Sequence, residues 1–108
     1  MVGLNHGPIA ASPLTREQAD ALAALLHALG DRTRMLILSA LLHAPTGELH
    51  ARDLQERLAL CQPTASHHLH KLVRAGILRR EQRGPYAYFS VAPEAFARLR
   101  ALFGEWPP

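Results

Sequence analysis
Apolar residues recur at spacings of three and four along most of the chain, and at a spacing of two near residue 88. Ala19, Leu22, Leu25, Leu26 and Leu29 fall on one face of a 3.6-residue turn, which predicts an amphipathic helix. Thr15 precedes this run with Gln18 three residues on, a capping box, and Gly30 ends it. Asp31 predicts the cap of a second helix. Its Met35, Ile37, Leu38, Leu41 and Leu42 leave almost no polar face, so it is expected at the buried centre of the fold. Pro45-Thr46-Gly47 ends it, and a short third helix is predicted over Ala51–Leu58, with Leu54 and Leu58 facing inward. A fourth opens at Cys61-Gln62-Pro63, where a first-turn proline has no hydrogen bond to lose. It buries Ala65, Leu69, Leu72 and Val73 and stops at Gly76. Ile77–Gln82 and Tyr86–Val91 predict two strands joined by Arg83-Gly84-Pro85. Tyr86 and Tyr88 share one face of the second strand; Ala87, Phe89 and Val91 share the other and are expected to pack on the helices. Pro93 opens a last helix carrying Phe96, Leu99, Leu102 and Phe103.

The predicted order is helix-helix-helix-helix-strand-strand-helix, a mostly α (α+β) pattern. Two short helices joined by a tight turn and followed by a hairpin describe a winged helix-turn-helix. Residues 1–14 hold Gly3, Gly7, Pro8 and Pro13 without a period, and are expected to be a flexible arm before one domain over 15–108. At 108 residues, 48% of them hydrophobic, the chain has the size of a single globular domain that gains from dimerising. Its apolar runs fall short of a membrane span, and its opening residues lack the basic-then-apolar pattern of a secretory leader. A cytoplasmic protein with no membrane partner is expected. Cys61 is the single cysteine, so an intrachain disulfide is ruled out.

Charge adds a direction. Residues 1–60 carry five arginines against six acids, whereas residues 61–108 carry seven basic residues against three acids. With Ala65, Leu69, Leu72 and Val73 turned inward, the fourth helix presents Thr64, His67, Lys71 and Arg74 outward, flanked by Gln62, Ser66 and His70. These side chains suit base edges and phosphates, and residues 61–80 contain no acid to repel a phosphate backbone. An ordinary solvated helix face usually includes glutamate. Arg79, Arg80 and Arg83 around the hairpin are candidate backbone or minor-groove contacts. The expected partner is therefore double-stranded DNA. A protein-docking winged helix would present an apolar or acidic face here. An enzyme built on His67, His68 and His70 would need a nearby carboxylate base, and the sequence places none there.

Ala28-Leu29-Gly30-Asp31-Arg32-Thr33-Arg34-Met35-Leu36-Ile37-Leu38 resembles the second-helix signature of the ArsR/SmtB regulators. Gln62-Pro63-Thr64-Ala65-Ser66-His67-His68-Leu69 is similar to their recognition helix almost residue for residue, and Ala75-Gly76-Ile77-Leu78 and Tyr88-Phe89 to the start and end of their wing. The resemblance covers about residues 17–103. It implies a homodimer through the first and last helices, with Leu22, Leu25, Leu26, Leu29, Phe96, Leu99, Leu102 and Phe103 as candidate interface residues. It also implies a palindromic operator, one recognition helix per half-site, and repression relieved by a metal or by thiol chemistry.

The sequence departs from that pattern at the inducer sites. Where the family places paired cysteines in the third helix, this chain has His50 and Arg52, and a cation at 52 repels a metal. Pro93–Trp106 holds no His or Asp for the other usual site. Three sources of signal stay open. His6, His27 and His50 are candidate ligands for nickel or zinc. Cys61, at a helix N-terminus that lowers a thiol's pKa, is a candidate redox residue. A signal-carrying partner protein is the third.

Overall fold
The computed structural model describes residues 13–101. In chain order they form α1 (Arg16–Leu29), α2 (Arg32–Leu42), β1 (Glu48–His50), α3 (Ala51–Leu58), α4 (Gln62–Arg74), β2 (Leu78–Arg83), β3 (Tyr86–Val91) and α5 (Pro93–Ala101). The expected arm lies almost wholly outside the described residues. The four helices, hairpin and last helix follow the predicted order, and one strand is added to it. β1 pairs antiparallel with β3, giving a three-stranded sheet in the order β1-β3-β2. Three residues are too few to show an alternation, so β1 left no pattern. Its one inward residue, Leu49, is buried opposite Phe89.

Local chemistry sets the helix ends. Thr15 and Gln18 close the capping box in both directions, at 3.0 and 3.1 Å. The Asp31 carboxylate accepts the Arg34 amide hydrogen at 3.0 Å, and this bond, the largest influence on it, holds the carboxyl below the usual aspartate range. α4 ends in a two-bond reversal. The Gly76 amide donates to the Val73 carbonyl and the Ile77 amide to the Leu72 carbonyl, both at 3.0 Å. Gly76 supplies the φ of 76° that this reversal requires. Leu72 and Ile77, brought together by it, are both fully buried. The turn between α3 and α4 has no glycine: Ala59 itself adopts φ 53°, ψ 47°.

The core lies where α1–α4 meet the inner face of the sheet, with Ile37, Leu41, Leu54, Leu72 and Ile77 at its centre. Phe89 is buried, and Ala87 and Val91 pack against the core as the alternation predicted. Two expectations need correction. The second helix is not buried all round: Met35, Leu36 and Leu42 are each 49% exposed, because only the Ile37, Leu38 and Leu41 side meets the rest of the chain. Leu25, expected at a dimer interface, is 6% exposed within its own chain, and Leu29 also packs on that core. Of the α1 leucines expected at the interface, Leu22 is half-buried and Leu26 is 43% exposed. Leu102 and Phe103 lie outside the described residues, and the side chains of Phe96 and Leu99 are not among those described.

Candidate nucleic-acid interface
α4 turns its buried face, Ala65, Leu69 and Leu72, onto the core. The outer face is therefore fixed by rotation, and Gln62, Thr64, Ser66, His67, His70, Lys71 and Arg74 are all exposed. The Gln62 amide donates to the Ser66 hydroxyl at 3.1 Å, one turn along the same edge. Lys71 and Arg74 make no ion pair among the described residues. His68 is the exception in the histidine cluster. It is half-buried behind the helix, with Nδ1 3.7 Å from the Asp31 carboxylate and its ring edge-on to His67.

The wing divides its arginines by the period of two. Arg79 and Arg83 lie on one face of β2, and both are neutralised there. Arg79 Nη2 donates to both carboxylate oxygens of Glu94, at 2.7 and 3.0 Å. Arg83 meets Glu48 and Glu81. Arg80 lies on the other face, toward α4. It donates to the Gln82 amide oxygen at 2.7 Å and pairs with no carboxylate among the described residues. Of the three candidate wing cations, only Arg80 thus keeps an unneutralised charge.

Arg80 stands between two adjoining clefts that separate the wing from the helices. One, of about 550 Å³, is lined by Ser66, His67 and His70 of α4 together with Arg80 and Phe89. The other, of about 540 Å³, is lined by Arg52, Gln55, Gln62, Arg80, Gln82 and Tyr86. No carboxylate lines either one. The result is a trough with hydrogen-bond donors on both walls and positive charge in the middle, chemistry that suits a phosphodiester strand. Arg52, Gln55 and Gln82 were not among the predicted contacts; nothing in their spacing sets them apart from any solvated position.

The two described candidate ligands, His27 and His50, belong to no cluster of metal-ligating side chains among the described residues. Among the described residues, no group of three or more His, Cys, Asp or Glu lies close enough to hold an ion. His50 is engaged on both nitrogens by Asp53, Nδ1 accepting its amide hydrogen at 3.4 Å and Nε2 lying 3.5 Å from its carboxylate. The ring stacks on Tyr86, so His50 serves as the cap of α3 and a support for the wing rather than a free ligand. His27 is exposed near the end of α1, and His6 lies outside the described residues. Cys61 occupies the cap position of α4 without capping it; its Sγ lies 3.1 Å from the Thr64 hydroxyl, and that contact, first among several, lowers the thiol pKa.

Comparison with known proteins agrees with this geometry. Residues 29–81 match the family described as "Helix-turn-helix domain". An uncharacterized HTH-type transcriptional regulator of Methanocaldococcus jannaschii, MJ1325, is 30% identical over 89 residues, 82% of this chain and 98% of that protein. The arsenic resistance transcriptional regulator ArsR1 of Pseudomonas putida is 41% identical over 66 residues, which span 61% of this chain but 50% of that relative. Among solved structures, the homodimeric winged helix-turn-helix DNA-binding domain Mb0332 of Mycobacterium bovis, a possible ArsR-family regulator, is 28% identical. It superposes with a TM-score of 0.67 over 82% of either chain. Motif, architecture and relatives converge, and the chain belongs to the ArsR/SmtB family of winged helix-turn-helix transcriptional regulators.

Proposed function
We propose that this regulator acts as a homodimer that lays α4 of each protomer into the major groove of a palindromic operator. One DNA strand then runs in the trough between α4 and the wing. The observation that carries this reading is the carboxylate-free trough centred on Arg80 beside the exposed polar face of α4. Gln62, Thr64, Ser66, His67 and His70 are placed to meet base edges, and Lys71, Arg74, Arg80 and Arg52 to meet phosphates. The homodimeric Mycobacterium bovis neighbour supports the assembly, and Leu26, Met35, Leu36 and Leu42 offer apolar surface outside the protomer's own core. Gln62→Ala and His67→Ala test the base-reading role by competition between operator and random DNA. Each is expected to reduce the preference for operator by roughly 1–3 kcal/mol. Equal losses on both DNAs would remove these residues from sequence reading.

A second reading concerns the signal, and the position of Cys61 favours it. The thiol is exposed at the first turn of α4, and the Thr64 hydroxyl at 3.1 Å favours its thiolate. Peroxide would transfer an oxygen to that thiolate, giving a sulfenic acid and releasing hydroxide, at the mouth of the DNA-reading helix. Operator affinity measured before and after peroxide, with Cys61→Ser as control, tests this. The reading expects a loss in the wild type and none in the variant; an equal response in both assigns the effect elsewhere. If peroxide changes neither, the signal enters by another route.

A further inference from the structure
Arg83 was expected to contact DNA from the wing, yet its guanidinium, though exposed, is already paired with two carboxylates. Nη1 and Nη2 donate to the two Glu48 carboxylate oxygens at 2.5 and 2.9 Å, fork against fork. Nη2 also donates to Glu81 at 2.7 Å. The guanidinium carbon lies 4.5 Å from the Tyr88 ring centroid. These partners come from all three strands: Glu48 from β1, Glu81 from β2 and Tyr88 from β3.

The register explains what such a tie does. β1 pairs with β3 only from Tyr88 to Ser90, so the hairpin beyond Tyr88 is a two-stranded ribbon. A ribbon of that kind is marginal alone and twists freely. Arg83 sits at its outer end, paired with Tyr86, and reaches back across the Tyr88 ring to the carboxylate of β1. β1 runs directly into α3, whose cap, His50, stacks on Tyr86. The outer end of the wing is therefore fastened through β1 to the helix-turn-helix.

We infer that Arg83 is a positioning residue, a strut that sets the pitch of the wing and so holds Arg80 over the trough, and that it does not itself bind phosphate. The inference rests on the DNA-binding reading above and assigns the wing's phosphate contact to Arg80 alone.

The test compares wild type, Arg83→Gln, Arg83→Glu, Glu48→Arg and the reversed pair Arg83→Glu with Glu48→Arg. Operator affinity is measured over a salt series, and amide hydrogen exchange is measured in the free protein. Arg83→Gln is expected to weaken binding severalfold while leaving the salt slope unchanged, and to speed exchange in residues 79–90. The reversed pair is expected to restore both affinity and protection that Arg83→Glu loses. A slope reduced by about one in Arg83→Gln is the signature of a lost phosphate contact and would overturn the inference. So would a reversed pair as weak as Arg83→Glu. If the wild type binds no DNA, the functional reading fails, and the exchange arm still decides the strut: unchanged protection in Arg83→Gln overturns it.

Discussion
At the scale of single residues, side-chain partners decide function more sharply than residue type. Arg79, Arg80 and Arg83 are indistinguishable in sequence, yet two are matched to carboxylates and one is not. Arg80→Ala is expected to lower the slope of log affinity against log salt by about one, whereas Arg79→Ala leaves it unchanged. A fluorescence anisotropy titration at several salt concentrations measures both. Ala59 shows the same gap between type and place. It holds a left-handed conformation in the turn between α3 and α4, with φ 53°. An L-residue there costs roughly 1–2 kcal/mol, part of it offset by the extra entropy that glycine loses on folding. Ala59→Gly is therefore expected to stabilise the fold by about 0.5–1 kcal/mol in urea unfolding. No change in the midpoint would contradict that strain.

At the scale of elements, caps and periods make the helices legible in the sequence. Thr15-x-x-Gln18, Asp31, Pro63 and Gly76 each mark an end that the structure places within a residue or two. What stayed hidden depended on partners far away in sequence. β1 exists because Leu49 finds Phe89, forty residues on, and its three positions carry no period of their own. The exposed side of α2 was hidden because a helix apolar all round does not reveal which side its own chain covers. The polar face of α4 was legible from its spacing and its lack of acid. The pairing of Arg83 with Glu48 was not, since it joins residues 35 apart. That pairing makes the wing sensitive to acid. Hydrogen bonds from Arg83 hold both Glu48 and Glu81 below the usual glutamate range. A lowered folded pKa contributes stability that is present above the ordinary value of 4.5 and lost as pH falls through the folded value. The Tyr86 and Tyr88 ring resonances are expected to hold steady at neutral pH and to shift only below about pH 4.5, and Glu48→Gln should flatten that response. A shift centred near neutrality would contradict that assignment.

At the scale of the whole molecule, the protomer leaves apolar surface that its own core does not use. Leu26 on α1 and Met35, Leu36 and Leu42 on α2 are 43–49% exposed, while Leu25 of the same α1 is buried. A dimer that covers Leu26 predicts that Leu26→Glu sediments as a monomer and loses most operator affinity, since each half-site then binds alone. A dimer unaffected by that charge would place the interface elsewhere.

Binding of the purified protein to DNA from upstream of its own gene, against random DNA of equal length and over a range of salt, tests the central claim most directly. The account predicts clear preference for one segment with two-fold symmetry, and an affinity that falls steeply and linearly in log salt as phosphate counterions are released. Binding that is weak, equal on both DNAs or indifferent to salt would contradict it.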